Sequence, residues 1–421
     1  MNVRTATVLG VDEVVPSARK LARGPVAASA KLRAADGGEL MDRAAKVAAV
    51  AAQYAAAVDA VSRLPEEAIA AARTERLLSI AVPRELGGEG ESIASVVDVC
   101  YALGRACSST AMIYAMHQTK LACVVRHGRS SPWHQLFLRR LCNEQMLLAS
   151  STTEGQNGGD IRNSSAPIMR EGSRITLERQ ATVISYGKAA DAVVTTARRS
   201  PDAASSDQVL VCFLKQDYTL ESVVGWDAFG MRGTCSEGFK LVAAGSSEQI
   251  LPVGYDKIHA HTTMPVAHLV WSAAWAGIAT AAVERARAFV RKAAQRSGGA
   301  LPPAAAHLTR ANASLRTLRS LISAAVQRFE AAAEDPAALE AIDFQTGMNL
   351  HKVNASELAV ATVMSAMQTC GLSGYRNDGE FSIGRHLRDI LSSPVMISND
   401  RILANIGAAS LLSGAPDKLS G

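Results

Sequence analysis

The feature that most constrains the fold is a change of hydrophobic pattern along the chain, from helical to β and back to helical. Residues 40–145 are rich in Ala and place apolar residues at helical spacing. Residues 146–262 carry short β-branched or apolar runs separated by Gly, Asn, Asp and Ser, which is typical of antiparallel strands. Residues 263–415 return to long apolar helices. This order predicts three pieces that meet around a cleft, where ligands prefer to bind.

Composition excludes several classes of protein. The 44 Lys and Arg against 39 Asp and Glu form no basic run, which argues against a nucleic-acid binder. None of the seven cysteines forms a CxxC pair, so neither a disulfide framework nor a zinc site is expected. No uninterrupted apolar stretch reaches the ~20 residues that span a bilayer. We interpret residues 1–39, which lack the apolar core of a secretory signal, as a weakly ordered tail of a cytoplasmic protein.

A segment rich in hydroxyls and glycine stands between the first helical zone and the strands. Residues 150–160 read SSTTEGQNGGD. Backbone N–H groups and hydroxyls suit the edge of a flavin ring or a pyrophosphate, and glycine lets the backbone approach closely. An ordinary polar turn has the same composition, so the segment alone leaves both interpretations open.

Six segments, taken together and in order, resemble motifs of the acyl-CoA dehydrogenase family. They are 83–90 (PxxxGGxG in the family), 151–160 (TEPxxGSD), 183–187 (WITNG), 226–238 (GMRGTxS), 368–375 (QxxGGxGY) and 388–389 (the RD step). The resemblance covers about 45–415. It implies an α+β fold with an N-terminal helical domain (40–145), a middle antiparallel β-barrel-like domain (146–262) and a C-terminal four-helix bundle (263–415).

The resemblance also implies FAD, bound between the β-domain and the helical domains of a homotetramer or dimer. The positions that match flavin contacts of the family are Thr152, Thr153, Gly158, Gly159, Ile184, Ser185, Arg296, Gln368 and Gly371. In the family, the contacts that match the last three come partly from a neighbouring subunit. Arg232 and Ser236 match a region near the substrate. An arginine suits a diphosphate, although Arg296 at a helix end is equally explained as a cap of the last carbonyls.

The resemblance fails at the catalytic base. Members of the family remove the substrate α-proton with a glutamate, whose usual place is taken here by Ile397. At a second place that some members use, the chain carries Ala267 and His268. Asp400 becomes the base if the loop shifts locally, and His268 is another candidate, although a lone His is more often structural.

These observations leave three hypotheses. The leading one is a FAD-dependent oxidoreductase that acts on the CH–CH group of an acyl thioester and passes electrons to another flavoprotein. The alternative is a monooxygenase of the same fold that takes reduced flavin from a partner reductase and needs no such base. The third is a non-enzymatic helical interaction protein without flavin.

Overall fold

The computed structural model describes residues 24–155, 161–407 and 411, with side chains from residue 38 onward. The described residues from 43 onward belong to one compact unit. Residues 24–39, which the sequence assigns to a weakly ordered tail, form part of the first helix instead, because their Ala-rich composition favours helix. Residues 1–23 lie outside the described part of the chain.

The N-terminal region is helical. Its helices are α1 (Gly24–Ala60), α2 (Glu66–Thr74), α3 (Ile93–Ala106), α4 (Ser108–His127) and α5 (Pro132–Glu144). Side-chain caps fix two of the starts, since Ser92 accepts from the N–H of Ser95 at 3.2 Å and Ser131 accepts from the N–H of His134. Helix α4 is buried on almost every side, so it forms the centre of this region.

The middle region consists of two sheets. Its strands are β1 (Leu148–Ser151), β2 (Met169–Glu171), β3 (Arg174–Ile184), β4 (Ala192–Arg198), β5 (Gln208–Leu214), β6 (Tyr218–Val224) and β7 (Glu237–Ser246). The strand orders are β1-β4-β5 and β2-β3-β7-β6. The antiparallel prediction holds for each pair of these strands except β1 and β4, which are parallel. A parallel pair needs a long connection, and the chain through β2 and β3 provides it.

The C-terminal region returns to helices. They are α6 (Tyr255–Ile258), a π-helical turn (His259–Thr263), α7 (Met264–Arg296), α8 (Ala305–Ala332), α9 (Pro336–Glu340), α10 (Ile342–Cys370), α11 (Leu372–Tyr375), α12 (Gly384–Ile390) and α13 (Asn399–Gly407). Helices α7, α8 and α10 form the body of the bundle, and α3 also packs along α7. The observed order of helices, then sheets, then helices therefore agrees with the architecture that the resemblance implies.

Helix α7 lies at the centre of the molecule. Within the described residues, Tyr255–Arg296 alone is long and apolar enough to span a membrane, and 94% of its most apolar window is buried inside the protein. Its approach to α3 depends on glycine, because a Cβ on Gly277 would lie 2.4 Å from the carbonyl oxygen of Tyr101. The same helix supplies one wall of the cavity described next.

Candidate active site

A cavity of about 770 Å³ lies between the β-region, α4, α7 and the segment before α13. Its volume falls in the range of small-molecule and cofactor sites, about 300–1,000 Å³. Residues that line it include Met112, Met116, Thr119, Lys120, Ser150, Thr152, Thr153, Ser185, Phe229, Thr234, Ser236, Thr263, Ala267, Trp271, Arg388 and Ile397. The sequence predicted this cleft where the three regions meet.

Several of the predicted flavin and substrate residues are brought together here. Thr152, Thr153, Ser185 and Ser236 line the cavity, while Ile184 is completely buried next to them. The hydroxyl of Ser236 lies 2.8 Å from that of Ser185 and 2.7 Å from that of Thr234. The cavity wall thus carries a chain of hydroxyls that can donate to or accept from a bound ring edge.

The start of the flavin-like loop is anchored by a buried ion pair. Glu154 lies 3.3 Å from the guanidinium of Arg179 and accepts from the hydroxyl of Ser164 at 2.7 Å and the N–H of Ser165 at 2.6 Å. Burial raises the pKa of Glu154, but Arg179 and these hydrogen bonds outweigh it and leave the pKa below its ordinary value. Gly158 and Gly159, predicted as flavin contacts, lie outside the described residues.

The RD step holds the loop 226–238 against the helices. The carboxylate of Asp389 accepts from the backbone N–H of Met231 at 2.7 Å, and burial raises the pKa of this carboxyl. Gly230 is required at the contact, because a Cβ there would lie 2.1 Å from the carbonyl oxygen of Arg388. The side chain of Arg388 pairs with Asp59. Arg388 and Asp389 together therefore position one wall of the cavity.

Arg232, predicted near the substrate, does not line this cavity. Its Nε donates to the carbonyl oxygen of Asp59 at 2.7 Å, which turns the side chain away towards α1. It lines a separate cavity of about 690 Å³ that also contains Arg285 and Arg385. The structure thus separates Arg232 from Ser236, although only three residues lie between them in the sequence.

At the family's glutamate position the structure places an aliphatic side chain in a strained turn. Ile397 lines the cavity, and its φ of 53° is uncommon for a β-branched residue. The ammonium group of Lys352 donates to the carbonyl oxygen of Ile397 at 2.6 Å and to the side-chain oxygen of Asn399 at 2.7 Å. Burial lowers the pKa of Lys352 to about 8.

Asp400 does not line the cavity, so its role as the base, which requires a local shift of the loop, stays a prediction. It is exposed on the first turn of α13, three residues beyond Ile397. The turn at Ile397 directs the aliphatic side chain inward and leaves the carboxylate outside. Glu and Asp are absent from the cavity lining over the described residues, where Lys120 and Arg388 are the charged groups.

His268 lines a second, more polar cavity of about 560 Å³. Its Nδ1 hydrogen-bonds the carbonyl oxygen of Met348 at 3.0 Å, and burial lowers its pKa to about 3, so the ring is neutral. This cavity also contains Arg162, Gln345, Asn349 and Arg401. It shares Ile161, Thr263, Ala267, Trp271 and Ile397 with the first cavity. The two cavities are therefore separated by a thin, mostly apolar wall.

Three predicted cofactor residues are not brought to either cavity. Arg296, Gln368 and Gly371 are exposed to solvent in the single chain. Leu372 and Tyr375, close to Gln368 in sequence, each expose 74% of their surface. These positions are therefore open to a contact with another molecule.

Sequence reasoning missed Lys120. The side chain is 3% exposed and lines the first cavity. The available signal was a single charged residue inside the otherwise uncharged segment 108–125. Its neighbour His117 bridges α4 to β1, accepting from the N–H of Leu148 at 3.0 Å and contacting the carbonyl oxygen of Leu78 at 2.7 Å.

Comparison with known families identifies the family of the chain. Residues 38–145 match the model of the acyl-CoA dehydrogenase N-terminal domain, and residues 259–412 match that of its C-terminal domain. Together the two models match more than half of the chain. The chain belongs to the acyl-CoA dehydrogenase family. The sequence-based prediction of the family is therefore confirmed, and with it an oxidoreductase whose cofactor is FAD.

The individual relatives have low sequence identity to this chain. Cyclohex-1-ene-1-carbonyl-CoA dehydrogenase of Geobacter metallireducens is 25% identical over 343 residues, which cover 80% of this chain and 87% of that protein. Among solved structures, FMN-bound TdsC of Paenibacillus sp. A11-2 has a TM-score of 0.78 at 18% identity, covering 90% of this chain and 98% of that one. Butyryl-CoA dehydrogenase of Megasphaera elsdenii has a TM-score of 0.72 at 18% identity, covering 89% and 98%. The solved structures establish the shared fold.

The residues of the first cavity fit an isoalloxazine ring. The indole N–H of Trp271 is buried in the cavity wall without a hydrogen-bond partner among the described residues, so a bound group can satisfy it. Thr152, Thr153 and Ser185 supply hydroxyls beside it, and Met112 and Met116 supply apolar contact. This mixture of an apolar surface and a few polar groups is what a flavin ring requires.

Proposed function

We propose that the protein is a FAD-dependent dehydrogenase of an acyl thioester, which forms a double bond between the α and β carbons. One observation of the structure carries this proposal: an apolar cavity with hydroxyl groups adjoins a polar cavity across a shared wall. The first suits the flavin ring and an acyl group. The second, with Arg162, Asn349 and Arg401, suits the polar and charged part of a thioester carrier.

The chain's own residues would orient the reactants. Bound FAD would supply the acceptor for the hydride that leaves the β carbon, and the α-proton would pass to solvent, because the described lining carries no Asp or Glu. Two electrons and two protons would thus leave the thioester. The hydroxyls of Ser185 and Ser236 would hold the ring edge, and Trp271 with Met112 and Met116 would pack against the ring and the adjoining acyl group. Electrons would then pass to a separate flavoprotein acceptor.

Anaerobic titration of the FAD-loaded protein with acyl-CoAs of different chain length tests the proposal. Loss of the flavin absorbance, together with a product lighter by two hydrogens in mass spectrometry, is the expected result. Neither change with any acyl-CoA in the series would contradict dehydrogenation of thioesters.

A second candidate function is a monooxygenase that uses reduced flavin and oxygen. The observation in its favour is the absence of Asp and Glu from the described lining of the cavity, where dehydrogenases of the family carry a glutamate. The TdsC structure in the comparison belongs to a protein named dibenzothiophene monooxygenase. Turnover that needs oxygen and a flavin reductase, without bleaching by acyl-CoA, would favour this candidate.

The proposal includes a homo-oligomer located in the cytoplasm. The exposed positions of Arg296, Gln368 and Gly371 support an assembly in which a second copy completes the cofactor site. The exposed apolar side chains of Leu372 and Tyr375 support a contact at the same place. Light scattering after size-exclusion chromatography would measure the mass of the assembly, and cell fractionation would test the location.

A further inference from the structure

Lys120 is a buried cation in the wall of the flavin cavity. It lies on α4, next to Thr119 and one turn after Met116, which both line the same cavity. The residue is 3% exposed. The side chain therefore borders the space that ligands would occupy and is shielded from bulk solvent.

Lys120 makes no hydrogen bond or ion pair with any residue that the structure describes. The other deeply buried cations are compensated: Arg179 pairs with Glu154, and Lys352 donates to Ile397 and Asn399. Burial lowers the pKa of Lys120 below its ordinary value. An uncompensated buried charge destabilises a folded protein, so its presence in a ligand cavity indicates a functional role.

The cavity offers no negative charge of its own over the described residues. Arg388, the other charged group in the lining, pairs with Asp59. The rest of the wall consists of hydroxyl, aromatic and aliphatic side chains. A negatively charged group that enters the cavity would balance the positive potential at Lys120.

We propose that Lys120 is the residue that recognises a negatively charged oxygen on the molecules occupying this cavity. This inference rests on the proposed flavin cavity and extends it to a specificity-determining residue. Two sources can supply the oxygen. One is a carboxylate on the acyl group of the substrate, and the other is the pyrimidine edge of FAD, which gains negative charge when the ring accepts electrons.

The ligand-free protein provides the first measurement. Lys120→Met keeps the length of the side chain and removes the charge, so the melting temperature of the apoprotein should rise by about 1–3 °C. Lys188→Met, which removes an exposed charge paired with Glu237, is the control and should not raise it. A lower melting temperature for Lys120→Met would mean that the protein itself compensates the charge, and the proposal would be wrong.

The second measurement distinguishes the two sources. Binding of an ω-carboxyacyl-CoA and of the uncharged acyl-CoA of equal length is followed by calorimetry with the FAD-loaded wild type, Lys120→Met and Lys120→Arg. If the wild type binds the carboxylate ligand about tenfold more tightly, and this preference is kept in Lys120→Arg and lost in Lys120→Met, the oxygen that Lys120 recognises belongs to the substrate. If the reduction potential of bound FAD, measured without substrate, is lower in Lys120→Met than in the wild type, the oxygen that Lys120 recognises belongs to the flavin.

The outcomes separate this inference from the proposed function. If both the carboxylate preference and the flavin potential are unchanged in Lys120→Met, the inference is overturned while thioester oxidation stands. If the potential shifts although no acyl-CoA bleaches the flavin, the role of Lys120 stands and the proposed dehydrogenation fails.

Discussion

At the residue scale, the replacement of the family's glutamate by Ile397 has the largest chemical consequence. The aliphatic side chain occupies the cavity wall at the place where a carboxylate would reach an α-proton. Its positive φ costs conformational energy of order 1–3 kcal/mol, and such strain is commonly kept at functional sites. An aliphatic side chain cannot accept a proton, so Ile397 itself cannot act as the base.

Ile397→Glu should restore a proton acceptor. In the apolar cavity the new carboxyl would have a raised pKa, and the rate of anaerobic flavin bleaching by acyl-CoA should rise by about 100-fold, because general-base catalysis contributes about 10²–10⁴-fold. Stopped-flow absorbance measures this rate. Ile397→Gln has the same shape without the base and should show no gain, and an equal gain in both variants would refute a role in proton transfer.

At the element scale, the turn before α13 is held by α10 through Lys352. The ammonium group bridges the carbonyl oxygen of Ile397 and the side chain of Asn399, both beyond α12 in the sequence. Because burial lowers its pKa to about 8, the folded protein releases this proton at a lower pH than the unfolded chain does. The unfolded state therefore binds more protons between about pH 8 and the ordinary lysine pKa.

The stability of the wild type should accordingly rise with pH relative to Lys352→Met. Where the unfolded state binds more protons, the free energy of unfolding increases with pH. We expect the difference between wild type and variant to change by about 2 kcal/mol in favour of the wild type from about pH 8 to about pH 10. Urea unfolding at several pH values measures it. A difference independent of pH would show that Lys352 does not titrate in this range.

The crossing of α3 and α7 is a second determinant at this scale. A Cβ on Gly104 would lie 2.4 Å from the carbonyl oxygen of Ala274, so Gly104→Ala should separate the helices and destabilise the protein by about 1–3 kcal/mol. Gly407→Ala is the control, because among the described residues no atom outside its own helix backbone and chain neighbours lies within 4 Å of its Cβ position. Denaturant unfolding compares the two variants. Equal stability would mean that the helix pair adapts without cost.

At the scale of the whole molecule, sequence pattern predicted the order of the regions but not the position of every functional group. Period and composition suffice to locate helices and strands, and the motif at 150–160 located the cavity through Thr152 and Thr153. Sequence could not show that Arg232 and Asp400 do not line the first cavity, because the directions of side chains in irregular turns depend on tertiary contacts such as those of Asp59 and Lys352. Lys120 was missed because hydrophobic periodicity assigns residues to the faces of a helix, and it does not show that a charged residue of a buried helix lines a cavity.

The assembly also belongs to this scale, because in a single chain three predicted cofactor residues are exposed and do not line the cavity. If a second copy supplies Arg296, Gln368 and Gly371, FAD affinity must depend on association. Diluting the FAD-loaded protein should then release flavin in parallel with loss of the oligomer, measured by flavin fluorescence and by light scattering.

Arg296→Gln should make this release occur at about tenfold higher protein concentration, because a guanidinium hydrogen-bonded to phosphate contributes about 1.5–3 kcal/mol. Arg291→Gln, an exposed arginine on the same helix, provides the matched control and should behave like the wild type. A protein that stays monomeric at all concentrations and still retains FAD would show that one chain completes the cofactor site. In that case contacts of Arg296, Gln368 and Gly371 across a subunit contact are not needed to bind the flavin.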